Sequence, residues 1–132
     1  MTKIFLATAG YAIIVFPLAL GWHVGLFKPM YEEFGYFVGE PNVPVGLLTI
    51  IIQGFALALI YPHFHTGSSG LTRAFQFSGL AGLFYWTSHV LALVAKQNVP
   101  NASNFIFLET GYLAIQFGLF ALLLGIIYRE AE

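Results

Sequence analysis

Apolar residues fall into four long runs separated by short polar breaks. The runs cover about Ile4–Phe27, Pro44–Pro62, Ala74–Ala95 and Asn104–Tyr128. Each is close to the roughly 20 residues a helix needs to cross a hydrocarbon core of about 30 Å. The pattern predicts an all-α integral membrane protein, a four-helix transmembrane bundle of up-down topology. One domain fills 1–132, with spans at about 4–27, 44–62, 74–95 and 104–128 and an interfacial loop over 28–43. Lys3 followed by apolar residues resembles a signal peptide, but the run to Phe27 is too long for a signal core, so it reads as a retained span.

Prolines punctuate the runs. Pro17 removes a hydrogen bond inside the first span and predicts a kink. Lys28-Pro29 is expected to end that span, Pro44 to open the second and Pro62 to stop it. Asn101 or Ser103 is the expected N-cap of the fourth. The connection 28–43 mixes Glu32, Glu33 and Glu40 with Tyr31, Phe34, Tyr36 and Phe37, a composition suited to a segment in the headgroup region, such as a short helix over one mouth of the bundle.

Composition agrees and narrows the chemistry. Hydrophobic residues make up 58% and charged residues 8% of 132, against about 25% charged in soluble domains. With no cysteine, disulfides, thiolate metal ligands and Fe–S clusters are excluded. Asp is absent, no phosphate-cradling loop occurs, and no basic cluster suggests nucleic acid. Lys3, Arg73 and Arg129 on one side, against Lys28 and Lys96 on the other, place both termini in the cytoplasm. A bacterial plasma membrane is the expected location, with the lipid bilayer as partner and a homo-oligomer or other membrane subunits alongside. Trp22-His23 with Lys28-Pro29 resembles Trp86, His89, Lys96 and Pro100, and Gln53 resembles Gln116. A 2+2 internal repeat is the corresponding expectation.

Depth singles out a few polar residues. At 1.5 Å per residue, His23 lies roughly 7 Å inside its span, His89 roughly 10 Å, Glu109 roughly 9 Å and Thr49 roughly 8 Å, all from the same side. Gln53 lies deeper, at roughly 14 Å. Glu109, Tyr112 and Gln116 share one helical stripe, as do Ser78, Gly82, Tyr85 or Trp86, and His89. Polar residues at such depth face the bundle interior.

Two classes of function follow. The first is a small binding or accessory protein that holds a hydrophobic molecule, such as a lipid or quinone, or scaffolds a membrane complex. His23, His89 and Glu109 would contact the guest, with Thr49 at their level, Gln53 and Tyr112 behind them, and Trp22, Trp86 and Tyr85 as an aromatic wall. The second is a compact redox enzyme in which His23, His89 and Glu109 hold a transition metal, or the two histidines hold haem b. A proton-coupled small transporter using the same level is a further alternative. His63 and His65 form a separate His-x-His pair that would chelate a metal if extended. The plain structural alternative is that Glu109 bonds His23 or His89 and sets helix register.

Overall fold

The computed structural model describes residues 1–129, so Glu130 and Glu132 lie outside it. Four helices are long and apolar enough to cross a membrane: α1 Thr2–Leu26, α3 Val43–His63, α4 Gly70–Lys96 and α5 Ala102–Ile127. A short α2, Lys28–Glu33, follows α1. Among the described residues there is no strand. Exposed Ile51, Ile52, Phe55, Phe84 and Phe107 leave the outer surface strongly apolar.

The packing forms an open ring. Helix α1 packs on α3 and on α5, and α5 packs on α4. Helices α3 and α4 meet at the Tyr61–Phe77 end, and a lateral cleft remains between them above it. Gly54 and Ala58 of α3 let α1 approach closely, with Ala7, Tyr11 and Val15 buried opposite.

The helix geometry departs from the expected regular spans at two points. Helix α1 widens into a π-helical stretch over Leu20–Leu26, and α4 does so over Thr87–Leu91. Each carries one of the two singled-out histidines. Such bulges rotate the register and are frequent at functional sites.

The 28–43 stretch carries the expected short helix and corrects where its aromatics lie. Lys28-Pro29 does not simply end a helix: it opens α2, with proline in the first turn where its missing N–H costs nothing. Gly35, at φ +68°, then reverses the chain. As a result Tyr31 and Phe34 are buried in the bundle end instead of lying outside it. Asn42, not foreseen as a cap, accepts from the Val45 N–H at 3.2 Å and starts α3. Asn101 occupies the N-cap position of α5 in left-handed geometry but makes no side-chain capping bond.

At the opposite end Arg73 closes the α3–α4 connection. Its guanidinium donates to the carbonyls of Phe64 (2.7 Å), Tyr61 (2.8 Å) and Pro62 (3.2 Å) and lies over the Tyr61 ring. It thereby adds a charged donor to carbonyls at and just beyond the end of α3.

Candidate functional site

Three of the residues picked by depth meet. His23 Nε2 is 2.7 Å from Glu109 Oε1, and His89 Nε2 is 3.0 Å from Glu109 Oε2. Glu109 is fully buried. Tyr31, from α2, donates a third hydrogen bond to Oε1 and itself accepts from Trp22 Nε1 at 3.0 Å. Tyr36 places its hydroxyl 3.2 Å from His89 Nε2. Thus one carboxyl group ties together α1, α2, α4 and α5.

Hydrogen-bond direction fixes part of the proton inventory. His23 Nδ1 lies 3.0 Å from the Ala19 carbonyl, which can only accept, so Nδ1 carries a hydrogen. One further proton then lies between His23 Nε2 and Glu109 Oε1. The pair is either imidazolium with carboxylate or imidazole with carboxylic acid, and is neutral in both. Burial holds the Tyr31 hydroxyl far above its ordinary pKa, and the neighbouring Glu109 raises it further. Tyr36 is raised for the same reasons, burial first. Both phenols therefore remain protonated at physiological pH, and Tyr31 is a standing donor.

A second polar group lies deeper. Gln116 Nε2 donates to the Tyr11 hydroxyl at 2.7 Å, and Tyr11 donates to Gln53 Oε1 at 3.3 Å. Below it α5 buries Phe117, Phe120, Ala121 and Leu124, so the polar path goes no further along that face.

Two cavities adjoin these groups. The upper one, about 260 Å³, is bordered by His23, Tyr36, His89, Tyr112, Gln53 and Tyr85. The lower one, about 430 Å³, fills the cleft between α3 and α4 and is walled by Leu57, Ile60, Leu80, Ala81 and Phe84. Gln53 and Tyr85 border both. The lower volume falls in the range of small-molecule sites, and the upper one lies just under it.

Other sequence-selected residues lie elsewhere. Trp86 is not part of the wall around the histidines: its Nε1 donates to Thr110 at 2.9 Å, and it borders a separate groove between α4 and α5. Tyr85, its neighbour, takes the inner position, its ring 5.2 Å from that of His89. Thr49 borders the upper cavity but is exposed, and its hydroxyl bonds the Val45 carbonyl of its own helix at 2.9 Å. Trp22 touches the cluster only through Tyr31 and through its ring contact with Tyr112. His63 and His65 are exposed.

Among the described residues no group of three or more His, Cys, Asp or Glu is arranged to hold a metal ion. The reason is geometric. Both imidazole Nε2 atoms point at different oxygens of Glu109, so the three side chains bind one another instead of converging on a shared point. For haem, the carboxyl group stands between the two nitrogens that would have to flank an iron.

In comparisons with known proteins, no family model, no curated protein and no solved structure matches the chain.

Proposed function

We propose that this chain is an integral membrane protein that binds an amphipathic small molecule through the side opening between α3 and α4. The observation carrying this reading is the adjacency of two unlike cavities that share Gln53 and Tyr85 in their walls, one edged by polar groups and one almost wholly apolar. That is the shape of a lipid-like guest with a polar head and an apolar tail. The opening faces the surface that exposed Leu59, Ile60 and Phe84 make suitable for lipid. The His23–Glu109–His89 cluster then fixes the head end of the site.

In the proposed arrangement the four spans run up and down, and both termini are cytoplasmic. The last turns of α1 and α4 and the first turns of α3 and α5 meet at the polar level, which supports alternating direction. The π-helical stretches at His23 and His89 favour a 2+2 repeat, although Trp22 and Trp86 take different partners. Cysteines introduced at Glu33 and Ser68 should label from opposite sides of the membrane. Labelling from the same side would overturn this topology.

The binding reading has its own test. Protein purified in mild detergent should release a bound amphipathic molecule on solvent extraction, detected by mass spectrometry. Ala81→Trp, which fills the lower cavity, should lose that molecule while the protein stays folded. Equal release from both proteins would sink the proposal.

A further inference from the structure

The head chemistry of the guest can be read from the cavity walls, on the premise that the cleft is a binding site. Neither cavity is bordered by Lys, Arg, Asp or Glu. Glu109 sits behind the histidines and is engaged on both oxygens. His23 and His89 border the upper cavity, but each turns its Nε2 to Glu109, so an ionised head, such as a phosphate or a fatty-acid carboxylate, would be desolvated here without a charge free to pair with it, at a cost of several kcal/mol. The head is therefore uncharged.

The hydrogen-bond inventory sets its polarity. Gln116 donates to Tyr11 and Tyr11 donates to Gln53 Oε1, which fixes the Gln53 amide with its NH2 group unused by Tyr11. Tyr85 stands at the same junction within reach of one N–H of the Gln53 amide, which leaves the second N–H and the Tyr85 O–H available, and the Tyr112 hydroxyl has no hydrogen bond to another described residue. These groups offer N–H and O–H donors, so the matching head presents acceptors. Tyr36, Phe37, Tyr85 and Tyr112 line the upper space with flat faces, which suit a planar ring.

We infer that the guest carries an uncharged ring carbonyl, of the quinone or cyclic-enone class, whose oxygen accepts from Gln53 Nε2 and the Tyr85 hydroxyl while its tail lies between α3 and α4. From Gln53 to Ile60 the cleft runs about 10 Å at 1.5 Å per residue, so a medium alkyl tail reaches along it.

The test is a binding titration of the full chain in detergent with a decyl-substituted benzoquinone, alongside decanol and decanoate. The readouts are Trp22 fluorescence in a Trp86→Phe background and ligand-dependent thermal stabilisation. The quinone should bind saturably, and both Gln53→Leu and Tyr85→Phe should weaken it by up to about tenfold, the worth of one buried hydrogen bond. Tyr85→Phe removes only a hydroxyl, so it stays informative if Gln53→Leu does not fold. If decanol or decanoate binds as well as the quinone and Tyr85→Phe changes nothing, the head assignment is overturned while the cleft survives. If no probe binds saturably and Ala81→Trp has no effect, the binding reading itself fails.

Discussion

Replacing Glu109 with leucine will destabilise the folded bundle by about 3–5 kcal/mol, the cost of removing one partner from a buried, paired polar group. An average interhelical hydrogen bond in a membrane protein contributes only about 0.6 kcal/mol. Glu109 is expected to exceed that because three donors from three different elements converge on it, and although His89 would keep Tyr36, neither His23 Nε2 nor the Tyr31 hydroxyl has another described side-chain acceptor. His23 would keep its bond to Ala19 but lose the partner of Nε2, and Tyr31 would keep only the donor from Trp22. Glu109→Gln should fold and fall between the two, since the amide still accepts from Tyr31 and can donate to one imidazole. Unfolding of purified protein in detergent, titrated with a denaturing detergent, measures all three. A loss below about 1 kcal/mol for Glu109→Leu would mean the cluster is no stronger than an ordinary interhelical contact.

The sequence revealed the level of this site better than its composition. Depth counting works because a hydrophobic span leaves the helix little freedom along its axis, so His23, His89 and Glu109 could be placed together from three separate helices. Rotation about the axis is harder to read. The stripe on α4 left Tyr85 and Trp86 interchangeable, and the π-helical stretch beginning at Thr87 changes the register there, so one turned inward and the other toward Thr110. Thr49 had the right depth, yet a threonine can satisfy its hydroxyl on its own helix, and it does. Tyr31 was missed because aromatics mixed with glutamates look interfacial. The signal available was local: Pro29 at a helix start, followed by Tyr31 and Phe34 three apart on one face. The open cleft between α3 and α4 had no sequence signal, because residues lining an apolar gap and residues facing lipid have the same composition.

Gly54→Val will cost about 1–3 kcal/mol by overpacking and will disturb the junction of the two cavities at the same time. A Cβ at position 54 would stand 2.8 Å from Tyr11 Cδ1 and 3.1 Å from Tyr11 Cβ. The second distance matters more, since a Cβ moves only with its backbone, so the ring cannot simply swing away. Tyr11 is also held at its far end by Gln116 and Gln53, and its ring packs edge-on to Phe120 at 4.9 Å. Helices α1 and α3 must therefore separate. Tyr11 and Gln53 would part, releasing the amide orientation on which recognition of a carbonyl head depends. Gly79→Val is the matched control, because a Cβ there meets nothing within 4 Å. The expected result is a lowered midpoint of unfolding and weaker quinone binding for Gly54→Val, with both near wild type for Gly79→Val. Equal behaviour of the two variants would show that close approach of α1 and α3 is not what holds this half of the site.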